Sequence, residues 1–113
     1  MLPTRHRMRT SALFSATVRS GARNGRRNVV VSVRDGTGEP TRVGFVVSKA
    51  VGNAVTRNRV KRRLRELSAE TVRDRPHGTD LVVRALPPSA EASWQDLARD
   101  YRAAVDAAVR RLR

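Results

Sequence analysis

Residues 44–66 read GFVVSKAVGNAVTRNRVKRRLRE, and three elements are written into them. Thr41 to Val47 is rich in valine and predicts a strand. Ser48 to Ala54 is a tight connection in which Gly52 and Asn53 tolerate positive φ. Thr56 is placed to cap a helix that runs to about Val72. Val60, Leu64, Leu67 and Thr71 recur at spacings of four, three and four, so one stripe of that helix faces a core.

The rest of the chain supplies the other elements. Thr10 or Ser11 can cap a short helix ending at Ser20, with Gly21 where a left-handed terminating residue belongs. Residues 22–27 read as a basic loop, and Asn28 to Val33 as a strand. The segment 34–40, RDGTGEP, carries two glycines and a proline and predicts a turn, which would join the strands 28–33 and 41–47 as an antiparallel hairpin. Pro76-His77-Gly78 breaks the chain before a strand over Leu81 to Leu86, closed by Pro87 and Pro88. Ser93, with Asp96 three residues on, starts a last helix whose apolar face includes Trp94, Leu97, Tyr101 and Val105. The order is αββαβα: an α+β chain with a three-stranded sheet, or four strands if another segment adds an edge. Residues 1–10 are basic and irregular and are expected to be flexible.

At 113 residues this is one domain, residues 1–113, able to bury about two thirds of its unfolded surface. It carries 24 basic residues against 10 acidic, a net charge of +14, and of the basic ones only Lys49 and Lys61 are lysine. Such a balance attracts nucleic acid or an anionic membrane surface. Without cysteine there are no disulfides, thiolate nucleophiles or Cys-based metal sites. No apolar run nears the ~20 residues of a membrane span, and the N-terminus leads into no hydrophobic stretch, so a cytoplasmic protein is expected.

The basic run concentrates that charge. Arg57, Arg59, Lys61, Arg62, Arg63 and Arg65 are six cations in nine positions with no acid among them. Solvated helices ordinarily interleave signs, each pair three or four apart giving ~0.2–0.5 kcal/mol. Here only Glu66 offers that, and the like-charged neighbours cost similar amounts. Arg57 and Arg59 also sit at the positive end of the helix dipole. A docked polyanion removes both penalties, because free N–H groups and guanidinium forks together bind phosphate. Asn58 is suited to a base edge or the backbone, or simply to orienting its neighbours.

This stretch resembles the signature of the bacterial ribonuclease P protein subunit. The likeness is carried by Ser48-Lys49, Gly52-Asn53-Ala54, Arg57-Asn58-Arg59 and the run Lys61-Arg62-Arg63 with Arg65, over 23 continuous residues. Arg7-Met8-Arg9, Phe14 and Gly21 are similar to that family's N-terminal segment and first helix. The segment 78–85, GTDLVVRA, is similar to its third strand. The resemblance implies a single-domain αββαβα sandwich, ribosomal-protein-like, with a left-handed βαβ crossover through the basic helix. It implies a non-catalytic subunit that binds a catalytic RNA and the 5′ leader of precursor tRNA, in a holoenzyme that removes the leader by Mg²⁺-dependent hydrolysis.

On that basis Lys49, Asn53, Arg57, Asn58, Arg59, Lys61, Arg62, Arg63 and Arg65 are expected to contact the catalytic RNA. A cleft holding Arg7, Arg9, Phe14, Val18 and Arg19 is expected to take the leader. The chain departs from many relatives in having Val18 where a second cleft aromatic stands, and Asn28 to Val31 where Phe or Tyr is common. Stacking there would be weak. No catalytic residue and no metal ligand is expected in the protein, the Mg²⁺ being held mainly by the RNA subunit and substrate. His6 and His77 are read as tail and turn residues, and Asp74, Asp80, Asp96 and Asp100 as solvated or capping acids. Trp94 and Tyr101 are read as core. The expected partners are the ribonuclease P RNA and precursor tRNA, with no membrane and no small-molecule substrate. Two other readings carry the same charge: a ribosomal or general RNA-binding module, and a membrane-surface or nucleoid protein. The 44–66 block favours neither.

Overall fold

A computed structural model describes residues 2–112. The elements are α1 (Ser11–Ser20), β1 (Ala22–Gly25), β2 (Val29–Pro40), β3 (Arg42–Val46), α2 (Ala54–Asp74), β4 (His77–Ala85) and α3 (Trp94–Arg110), with short 3-10 turns at Thr4–His6 and Pro87–Ala90. One four-stranded sheet has the order β1-β2-β4-β3. β1 and β4 each pair antiparallel with β2, and β3 pairs parallel with β4, so α2 is the crossover between two adjacent parallel strands. No helix of the described residues is long and apolar enough to cross a membrane.

Strand alternation sorts the side chains onto two faces. On one, Val29, Val31 and Val33 of β2, Val43 of β3, and Leu81 and Val83 of β4 meet Val60, Leu64 and Leu67 of α2. Leu97, Ala98, Tyr101, Ala104 and Ala108 of α3 complete this core. On the other face lie Ser32, Gly44 and Val82, all buried, with α1 packed across them. The Phe14 ring lies so close over Gly44 that an added Cβ would run into it.

The antiparallel hairpin between the strands 28–33 and 41–47 does not form. β4 inserts between them, and Leu81, Val82 and Val83 are buried consecutively, as in a strand covered on both faces. The turn cluster 34–40 is instead a continuation of β2. Gly36 and Gly38 have φ of 76° and 71°, and the β2–β4 register shifts between Asp35 and Pro40. The glycines marked a bulge rather than a chain reversal. Residues 22–25, read as loop, form the edge strand β1.

Three local expectations also change. Gly21 is extended (φ −85°, ψ 167°) and is needed for room: a Cβ would stand 2.5 Å from the carbonyl oxygens of Thr17 and Val33. The cap of α2 is Asn53, whose side chain accepts from the Thr56 N–H at 2.9 Å. Residues 2–10 are held in place. Leu2, His6 and Met8 are buried, His6 Nδ1 lies 2.6 Å from the Thr41 carbonyl oxygen, and the Met8 N–H donates to Val43. Arg7 bridges to Val43 in parallel, so this segment covers the β3 edge. Met1 and Arg113 lie outside the described residues. At the other helix, Ser93 caps α3 by accepting from the Asp96 N–H, as its sequence predicts.

Candidate nucleic-acid interface

The α2 cations fall into two sets. Arg59 and Arg63 are half-buried and turn toward the segment before α3: Arg59 donates to the Ala90 carbonyl at 2.6 Å and Arg63 to that of Ala92 at 3.0 Å. Arg57 is also half-buried, and its Nε, like that of Arg59, is buried without a partner among the described residues. The second set points outward. Val55, Asn58, Lys61, Arg62 and Arg65 line an outer hollow of about 430 Å³ on α2. Val55 is 75% exposed there, an apolar spot amid cations. Among the described residues none of Lys61, Arg62 and Arg65 has an acidic partner within ion-pair distance. Lys49 is exposed in the turn before α2, and the Asn53 side-chain oxygen is occupied by its cap.

A second hollow, about 380 Å³, lies between α2, the N-terminal segment and α1. Leu2, Met8, Phe14, Val43 and Phe45 provide apolar walls, and Arg7, Lys61 and Arg65 bring charge. Arg7 is fixed there by donating from Nε to the Leu2 carbonyl at 2.9 Å. Beyond Phe14 the depression continues between α1 and the sheet, past Ser15, Val18, Arg19 and Val46. It then reaches Arg23, Val30, Ser32, Val82 and Arg84. Val18 is 46% exposed in it. Arg9 is exposed but lines none of these hollows.

The structure therefore brings Arg7, Phe14, Lys61 and Arg65 to one place, and Phe14, Val18 and Arg19 to its continuation. It adds Arg23, Phe45, Val46 and Arg84, which the sequence reading left out. Of these, Val46 and Arg84 lie on the α1 face with the other even-numbered positions of β3 and β4, but finding them required the strand order.

Buried polar groups here are structural. Asp80, read as a solvated or capping acid, has no exposed side chain and accepts from Arg34 at 2.7 Å and Arg42 at 2.9 Å, its registered neighbours on β2 and β3. Asp100, read in the same way, accepts from the Asn28 backbone N–H at 3.1 Å and side-chain amide at 2.8 Å, tying the residue before β2 to α3. His6 is a buried latch rather than a tail residue. Tyr101 is core as expected, within 2.6 Å of the Thr71 hydroxyl, and burial pushes its phenol up to about 12. Across the α2–α3 contact, the hydrogen bond from Arg102 lowers the Glu70 carboxyl below its ordinary value. No cluster of three or more potential metal ligands occurs among the described residues.

Comparison with known proteins places this surface in context. The family model described as Ribonuclease P matches residues 2–109. The chain is 83% identical over 111 residues to the ribonuclease P protein component of Kocuria rhizophila, covering 98% of each. It is 60% identical over 113 residues to that of Pseudarthrobacter chlorophenolicus, covering 99% of this chain and 83% of the relative. Among solved structures, the Staphylococcus aureus RNase P protein superposes with a TM-score of 0.80 at 26% identity, over 91% of this chain and 94% of that one. The Thermotoga maritima RNase P protein superposes at 0.72 with 25% identity, over 86% and 92%.

Proposed function

Because this chain belongs to the ribonuclease P protein family and is a protein component of that tRNA-processing enzyme, we propose how its surface divides the work. The outward side of α2, with Asn58, Lys61, Arg62 and Arg65, binds the ribonuclease P RNA. Lys49 and Arg57 flank it, and Arg59 and Arg63 act mainly by fixing α2 to the turn before α3. The depression along α1, with Arg7, Phe14, Val18 and Arg19, takes the 5′ leader of precursor tRNA, and Arg9 supplies long-range attraction. Asn53 serves by capping α2, which sets the pose of the next turn.

The single observation that carries this reading is the outward side of α2, where Lys61, Arg62 and Arg65 have no acidic partner among the described residues, in a chain of net charge +14. Binding phosphates there releases counterions and supplies most of the affinity. Asn58 adds an amide that donates and accepts at once, suited to a base edge.

The protein supplies no reacting group in this scheme. Its buried acids are committed to Arg34, Arg42 and Asn28, and its buried histidine to a backbone carbonyl. Mg²⁺ held mainly by the RNA subunit and the substrate would supply the Lewis acid and the activated water. The protein lowers the repulsion between the two RNAs and positions the leader, acting in the cytoplasm where precursor tRNA is processed.

Reconstitution with a bacterial ribonuclease P RNA at low Mg²⁺, scored on precursor tRNA cleavage, is the test. Stimulation over RNA alone is the expected result, with the protein inactive when RNA is omitted. Absence of stimulation, or cleavage that survives removal of the RNA subunit, would sink the proposal.

A further inference from the structure

Lys61 and Arg65 line both the outer hollow on α2 and the inner hollow against Phe14. They are four apart, one turn on the same helix side, so together they form a continuous wall between the two depressions. Lys61 is half-buried and Arg65 exposed. The residues beyond the wall differ in kind: Val55, Asn58 and Arg62 outside, the Phe14 ring and Arg7 inside.

A helix with its side chains is about 10–12 Å across. Two nucleic-acid strands seated on adjacent flanks of α2 would thus bring phosphates within roughly a Debye length, ~8 Å at physiological salt. At that separation their repulsion is only partly screened. A cationic wall shared by both strands is what such an arrangement requires. Two like charges one turn apart are themselves unfavourable in the free protein, and binding of anions on both sides relieves that.

We infer that Lys61 and Arg65 are a shared clamp, touching the phosphates of the RNA subunit from the outer hollow and those of the substrate's single-stranded leader from the inner one. The inference rests on the division of surfaces proposed above. It assigns the inner hollow to a leader nucleotide whose base lies on Phe14 and whose phosphate meets Arg7, Lys61 and Arg65. It also makes these two cations a point of coupling: substrate affinity and RNA-subunit affinity share them.

The experiment uses the reconstituted holoenzyme and measures two quantities. One is the affinity of the protein for ribonuclease P RNA. The other, at saturating RNA subunit, is the ratio of affinities for precursor tRNAs with a long leader and with a single-nucleotide leader. The double variant Lys61→Ala/Arg65→Ala should weaken RNA-subunit binding and also cut the leader ratio by about tenfold, equivalent to ~1.4 kcal/mol. Arg62→Ala should lower only the first quantity and Phe14→Ala only the second. The charge-preserving pair Lys61→Arg/Arg65→Lys should retain both. A misfolded fraction lowers the active concentration and leaves the ratio untouched, so a merely structural effect is separable. If the double variant changes only one of the two quantities, the shared clamp is wrong while the division of surfaces stands. If the wild-type protein shows no leader ratio above one, the proposed function itself fails.

Discussion

The two faces of the sheet are built from the same strands and put to opposite uses. On the face under α2 and α3, the valines and leucines of β2, β3 and β4 are all but fully buried, and Tyr101 closes the space between the helices. On the other face α1 covers only part of the strands, leaving Val18 and Val46 at the surface of a depression edged by Arg19, Arg23 and Arg84. One face is closed for stability, and the other, only partly covered by α1, is left open enough to bind. The difference predicts that substitutions on the closed face change folding alone. On the open face substitutions should change binding alone, except where a polar group is itself structural.

Asp80 is that exception and should give the largest effect. It lies on the open face yet has no exposed side chain, and it joins three strands through Arg34 and Arg42. Asp80→Ala leaves two guanidinium groups without their carboxylate, which costs about 3–5 kcal/mol when such a pair is buried. Because Arg34 and Arg42 keep 28% and 21% of their side chains exposed, the low end is expected. Urea unfolding measures it. A loss under about 1 kcal/mol would mean that the open face carries none of the fold's stability.

Tyr101 probes the closed face. Burial raises its phenol pKa to about 12, above the ~10 of an unfolded chain. The folded state therefore holds the proton more tightly, and the stability this confers is complete below pH ~10 and lost as pH rises toward 12. The loss across that window should be roughly 2–3 kcal/mol, at 1.36 kcal/mol per unit. Since the chain has one tyrosine, phenolate absorbance reports this site alone. Tyr101→Phe should flatten the alkaline limb. Titration near 10 in the folded protein would contradict a closed face.

How much of this was legible in the sequence follows from the range of each interaction. The helices and the inner stripe of α2 were readable, because a 3.6-residue period is a local signal. The placement of β4 between β2 and β3 was not, since strand order depends on which strand is covered on both sides. The buried run Leu81-Val82-Val83 was its one trace. The N-terminal latch was invisible for a similar reason: Leu2, His6 and Met8 have no period, and Thr41 and Val43, the partners of His6 and Met8, lie 35 residues away. The cationic surface was legible as a whole. Its division was not, because Arg59 and Arg63 are claimed by carbonyls about 30 residues downstream.

Val18 sharpens the comparison from the open side. It stands exposed beside Phe14 in the depression, where a side chain with a π-face would offer a second stacking platform. Val18→Phe should strengthen leader binding by about 1 kcal/mol, the low end for stacking one base, and leave folding stability nearly unchanged. Holoenzyme titrations with long-leader and single-nucleotide-leader substrates give the difference. Equal affinities for wild type and variant would place the leader elsewhere.

The smallest expected effects separate Arg62 from Arg63, neighbours in sequence on different sides of α2. Arg62 projects into the outer hollow, whereas Arg63 donates to the Ala92 carbonyl. If Arg62 neutralises one phosphate of the RNA subunit, Arg62→Ala should reduce the slope of log affinity against log salt by ~0.7–0.9. Arg63→Ala should leave that slope nearly intact and cost instead about 1 kcal/mol of stability, as for a lost hydrogen bond. Its effect on RNA affinity at fixed salt would then be indirect, through a looser connection between α2 and α3. Equal changes in slope would mean that the Ala92 bond opens on binding and that Arg63 swings outward. In that event the two sets of cations on α2 would merge into one surface, and the closed side of the molecule would extend only as far as Arg59.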